Sequence, residues 1–119
     1  MASREHAAIP TFYRIVPGPD ASQDDFLSHK AKGLPAGQRA KSEGWWEGIS
    51  AYDSLPAALF WAAERRYSQG RFIAAIVISD DSTIRYRQTT GAMEHYTLWG
   101  EPEAFMRCVQ WVQSAAELS

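Results

Sequence analysis

At 119 residues, with 45% hydrophobic and 22% charged side chains, the chain has the length and composition of one globular domain with its own core. A formal charge of -2 and a pI near 5.9 give no bulk drive toward nucleic acid or anionic membrane. The single cysteine, Cys108, excludes an internal disulfide and a CxxC metal or redox site.

These features set the first expectations. Cysteine usage points to a reducing, cytoplasmic compartment. No apolar run approaches the ~20 residues that cross a bilayer, and "MASREHAAIP" lacks the apolar middle of a signal peptide. Residues 1–10 read as a flexible lead-in, and 11–119 as a single α+β domain. Arg65, Arg66, Arg71, Arg85 and Arg87 fall in one segment, so a local basic face stays open beside the simpler reading of solvated, outward positions.

In chain order, "FYRIV" (12–16) predicts a first strand, closed by "PGPD" at 17–20. Ser22 with Asp25 has the spacing of a capping box and predicts a helix from about Gln23 to Lys32, ended by Gly33. Residues 33–44 lack an apolar period and predict a long surface loop that is a candidate lid. In "WWEGISAYDSLP" (45–56), Ile49–Tyr52 predicts a short strand, after which Asp53 or Ser54 caps a helix with Pro56 in its first turn. Leu55, Leu59, Ala62, Ala63 and Tyr67 continue that helix to Gly70. "RFIAAIVIS" (71–79) is apolar on both faces and belongs inside a sheet. "TIRYRQ" (83–88) alternates and predicts a half-exposed strand paired with the one before it. "EHYTLWG" (94–100) predicts another strand, "EPEAFMR" a short helix, and "CVQWVQ" (108–113) a last strand, although its apolar spacing also suits a helix. Early helices followed by a strand-rich half indicate an α+β domain.

No Gly-rich phosphate loop, HExxH, GxSxG or EF-hand run is present. His6, His29 and His95 are far apart in sequence, which argues against a metal site. Cys108 sits in an apolar stretch and reads as core filler, as do Trp61 and Trp111. The informative residues are polar groups inside predicted strands, which lose hydration unless paired or facing a cleft. Arg14 either snorkels at an edge or projects a fork suited to phosphate or carboxylate. Ser50 and Tyr52, two apart, share one strand face, and so do His95 and Thr97. These pairs either line an exposed sheet face or face a site. Trp45 and Trp46 follow the loop, and an indole there either closes its base or stacks on a flat ring such as nicotinamide or adenine.

An arginine in the first strand, followed by a strand "GISAYDS" running into "LPAALFWAAE", resembles the ADP-ribosyltransferase-like superfamily. The order also resembles small bacterial proteins with "YR…DFLS…G.S.YDS…HYT.WG". The superfamily resemblance implies a split antiparallel β-sheet with two main helices and NAD as co-substrate, without a metal. It implies that Arg14 meets the NAD phosphates, that Ser50 and Tyr52 support the nicotinamide ribose, and that Trp45 or Trp46 covers the base. The third position, a late-strand polar residue that steadies the cationic transition state, is open between the E-x-E pair Glu101 and Glu103 and the rivals His95 and Glu94. The function implied is an NAD-binding transferase-like domain of a small toxin or modifying enzyme. Two rivals stay open. One is a non-catalytic module that binds a protein partner of the antitoxin or immunity type. The other is an RNA-processing protein in which Arg14 and His95 approach a phosphate.

Overall fold

The computed structural model describes residues 10–38, 41, 44–64, 72–88 and 94–118, with the backbone alone described at Trp45 and Glu64. The expected lead-in, the helix end near Tyr67 and Gly70, Arg65, Arg66, Arg71 and the Trp45 side chain lie outside the described residues.

Six strands form one antiparallel sheet: β1 (Thr11–Val16), β2 (Ile49–Tyr52), β3 (Phe72–Val77), β4 (Arg85–Gln88), β5 (His95–Trp99) and β6 (Val109–Ser114). Their spatial order is β4-β5-β2-β1-β3-β6. Helix α1 (Leu55–Glu64) follows β2, α2 (Pro102–Cys108) leads into β6, and a last turn, α3 (Ala115–Leu118), ends the described chain. The fold is α+β. No helix among the described residues is long and apolar enough to cross a membrane.

Strand alternation gives each sheet face its own core. Phe12, Ile49, Ala51, Ile76 and Leu98 pack with Phe26, Ala104, Phe105 and Cys108 on the α2 side. Tyr52 and Ile73 pack with Ala57, Ala58 and Ala62 of α1 on the other, joined by Tyr13, Ile15 and Trp111. β3 is buried along its middle because it lies between β1 and β6. "CVQWVQ" is a strand from Val109 on, and Cys108 is a buried core thiol.

Three expectations are corrected. The helix proposed for 23–32 is only a 3-10 turn, Gln23–Phe26. Its chain turns extended at Leu27, and the buried Phe26 ring stacks on Phe105 at 5.7 Å, so packing of one ring ends the helix after a single turn. Strand 83–88 pairs with β5 rather than with β3. Both edges of β3 are already taken by β1 and β6, which sends β4 to the far edge of the sheet. Trp61 is not core. The alanines of α1 face the sheet and leave Trp61, 36% exposed, edge-to-face with Phe60 at 5.2 Å on the solvent side.

The sheet is uneven in its pairing. β1 and β3 match at six partner positions, whereas β1 and β2 match at one, Tyr13 with Tyr52. Beyond that pair the two strands separate, and the seam between them carries the candidate site.

Candidate functional site

Separating β1 from β2 removes ladder partners, and backbone groups so freed need others. Arg14 supplies them. Its Nε donates to the Asp25 carbonyl at 2.9 Å, and one terminal guanidinium nitrogen donates to the Ser50 carbonyl at 2.6 Å. The guanidinium thus stands where a continuing ladder would be, and ties β1 to both β2 and the 23–26 turn. Its planar fork suits this task better than a lysine ammonium would.

The wall beyond the seam is built by β2 and β5. Ser50 lies opposite Thr97 and Tyr52 opposite His95, so all four side chains share one face. The Tyr52 and His95 rings meet edge-on, with centroids 5.4 Å apart. Tyr52 and Thr97 are buried, and Ser50 and His95 half-buried. Gly48 lets β2 start against β5: a Cβ there would meet Thr97 Cγ2 at 2.5 Å and the Leu98 carbonyl at 2.8 Å.

The segment after the 3-10 turn covers the seam. Lys30 N–H donates to the Trp46 carbonyl at 3.0 Å, and Trp46 Nε1 donates to the Leu34 carbonyl at 2.8 Å. These bonds hold the 30–34 segment, whose end enters the expected lid, against the Trp45–Glu47 turn that precedes β2.

Two adjoining clefts result. One, of about 350 Å³, is lined by Arg14, Trp46, Ser50, His95 and Thr97, with Pro35, Ala36 and Gly37 above. The other, of about 320 Å³, includes Arg14, Ser50, Tyr52, Asp24 and Asp25. Arg14, Ser50, His29 and Lys32 line both. No carboxylate is among the described residues lining the larger cleft, whose Arg14 and Lys32 give it a cationic wall. At the ends of β2 and β5, Ser54 Oγ donates to Glu94 Oε2 at 3.0 Å, and Asp53 N–H donates to the Glu94 carbonyl. Although Asp53 is exposed, slight local desolvation raises its pKa above the ordinary value, and the neighbouring Glu94 charge adds to the rise.

Arg14, Ser50, Tyr52, His95 and Trp46 therefore meet around one seam. Glu101 and Glu103 do not: both are exposed, Glu101 holds the N-cap position of α2 without a side-chain capping bond, and neither lines either cleft. The E-x-E spacing belongs to a helix start, where an acidic side chain complements the helix dipole. Sequence reasoning missed His29 and Lys32, whose position over the seam follows from the early end of the 3-10 turn. The Ser22–Asp25 pattern, read as the start of a longer helix, concealed that end. Among the described residues, no three His, Cys, Asp or Glu side chains gather as a metal-ligand group.

Neither a protein-family model, nor a curated protein, nor a solved structure matches the chain.

Proposed function

We propose that the chain is an NAD-binding domain of the ADP-ribosyltransferase-like kind, acting as a small modifying enzyme or toxin. The observation that carries this reading is the meeting of Arg14, Ser50, Tyr52 and His95 at the parted β1–β2 seam, with the Trp46 indole beside them. The residues fit the chemistry of a dinucleotide. Arg14 and Lys32 supply cations for a pyrophosphate, the Ser50 hydroxyl a ribose partner, and Trp46 a flat surface for a base.

When bound, NAD supplies a nicotinamide–ribose bond whose breakage leaves the electron pair on nicotinamide and positive charge on the sugar. Of the residues weighed for the third position, His95 is the one on the cleft wall. In this reading neutral His95 takes the proton of the incoming acceptor as the acceptor bonds to the sugar carbon. Glu94 lines neither cleft and is held by Ser54 at the strand ends, so in this reading it adds only a longer-range negative potential to the developing charge. Tyr52 orients the His95 ring through their edge contact.

Calorimetric titration with NAD, paired with chromatographic assay of released nicotinamide, tests this. Heat with a dissociation constant of about 1 µM to 1 mM, lost in Arg14→Met, is expected. No heat with millimolar NAD and no nicotinamide after days of incubation would remove the reading.

A second reading has its own observation. Phe60 and Trp61 stand exposed and edge-to-face on α1, away from the seam cores, as on a surface that binds a protein partner such as an antitoxin or immunity protein. Stable co-purification that Trp61→Ser abolishes is its expected result. A monomer on sizing columns with no co-purifying chain counts against it.

A further inference from the structure

Two indoles beside the seam are each approached by two cations. Arg85 and Arg87 carry their guanidinium carbons 5.9 and 5.7 Å from the Trp99 ring centre. Lys30 and Lys41 hold their ammonium groups 5.5 and 5.3 Å from the Trp46 ring centre. Such pairs occur about once per 70–80 residues, so four on two rings of a 119-residue chain mark a concentration rather than scatter. Each indole is pinned by its ring nitrogen, Trp46 to the Leu34 carbonyl and Trp99 to the Gly44 carbonyl at 2.9 Å. The rings are thus held in fixed planes and the cations ride on them.

The register joins this strip to the cleft. Ser50 lies opposite Thr97 and Thr97 opposite Arg87, so the three form one row across β2, β5 and β4 on a single sheet face. Trp99 lies opposite Arg85 in the next row of that face. The cleft wall therefore runs without a break onto β4, whose four residues are all exposed at the sheet edge. The chain's net charge of -2 makes this a local segregation of positive charge. Lys30 is partly offset by Glu47 at 3.1 Å, an exposed ion pair of small energy.

We infer that this strip is a binding site for single-stranded nucleic acid, with phosphates on Arg85 and Arg87 and bases stacked on Trp99 and Trp46. A single strand needs two things at once: cations that follow its backbone, and flat rings that accept any base. An acidic polypeptide answers the charges alone, whereas the phosphates of a single strand can draw the cations while its bases take up the indole surface beside them. Nucleic acid is therefore the occupant that accounts for both halves of the arrangement. The inference does not depend on NAD binding, because its test is run without NAD.

Fluorescence anisotropy with 5′-labelled oligo(U) and oligo(dT) of about 12 nucleotides reads the binding directly. The expected dissociation constant is on the order of 1 to 100 µM at low salt and rises with salt. The double variant R85E/R87E should bind at least tenfold more weakly while staying folded, with a urea midpoint lowered only modestly by loss of the two contacts to Trp99. Its log–log salt slope should fall by about 1.4, at ~0.7 per phosphate contact on a single strand. Trp99→Leu should weaken binding about fivefold to a hundredfold with the salt slope kept; should that variant misfold, the arginine pair carries the test. Binding of either oligonucleotide with these responses supports the site. Three results overturn it: no binding at low salt, equal binding by R85E/R87E, or displacement by poly-glutamate as effective as by unlabelled oligonucleotide.

Discussion

The two sides of β1 are built on opposite principles. Toward β3 the strand runs in register over six positions and buries Ile73, Ala74, Ala75 and Ile76 almost completely. Toward β2 it is matched once, and a guanidinium takes over from the ladder. The first side is closed by apolar packing and admits nothing. The second is closed by a polar side chain, which leaves a lined cleft at a modest cost in pairing. A sheet can thus hold a site in its middle if one seam is sparsely paired and the adjoining ladder is strong.

The largest test of this contrast compares one residue from each side. Ile73→Ala, at a fully buried position, should cost about 4 kcal/mol in urea unfolding, and the surviving folded fraction should keep its ligand affinity. Arg14→Met should cost less, about 2 kcal/mol, by leaving the Ser50 and Asp25 carbonyls without their donor. It should nonetheless remove the NAD heat. If Arg14→Met proves the more destabilising of the two, the seam is a structural keystone and the contrast fails.

The legibility of the fold followed the same division. β1, β2, β3 and β5 could be read from alternation and apolar runs, because their burial is local in period and strong. Ser50 and Tyr52, like His95 and Thr97, could be placed on common faces by counting in twos. What could not be read depended on distant partners. β4 looked like a hairpin mate of β3, and nothing nearby in sequence reveals that β1 and β6 occupy both edges of β3. The 3-10 turn looked like a helix because its signal is genuine: Ser22 N–H does donate to Asp25 Oδ2 at 2.9 Å, but Phe26 is then captured by Phe105. Trp61 looked buried by residue type, yet the narrow alanine face of α1 turned it outward. Glu101 and Glu103 carried a familiar spacing, but the helix start that holds them was already legible in "EPEAFMR".

Ser54 offers a finer test, because it ties α1, packed under the strong side, to β5 at the far wall of the seam. Its Oγ accepts from Ala57 N–H at 3.2 Å and donates to Glu94 Oε2. Ser54→Ala should cost about 1 kcal/mol as a lost helix cap. Ser54→Asp keeps an acceptor for the helix and opposes Glu94. It should restore the cap's share of stability while lowering affinity for an anionic ligand; equal affinity in the two variants would detach Glu94 from the site.

Asp53 gives the smallest effect and the clearest sign. Its pKa is raised from 3.8 in the folded state, so the native chain holds that proton more tightly than the unfolded chain does. As pH rises from 3.8 through the raised value, the folded state loses stability relative to the unfolded one; below 3.8 both are protonated and the contribution is flat. Asp53→Asn removes the charge that local desolvation and Glu94 disfavour and leaves the Asp53 N–H bond to the Glu94 carbonyl available. The variant should melt slightly above the parent at pH 7, by no more than about 1 °C because the group is exposed and screened, and match it near pH 3. The opposite order at pH 7 would mean that the Asp53 carboxylate gains a favourable partner in the folded chain. The strand ends beside Tyr13 and Tyr52 would then be held by charge, as the seam itself is, and the boundary between the two sides of β1 would lie one residue further along.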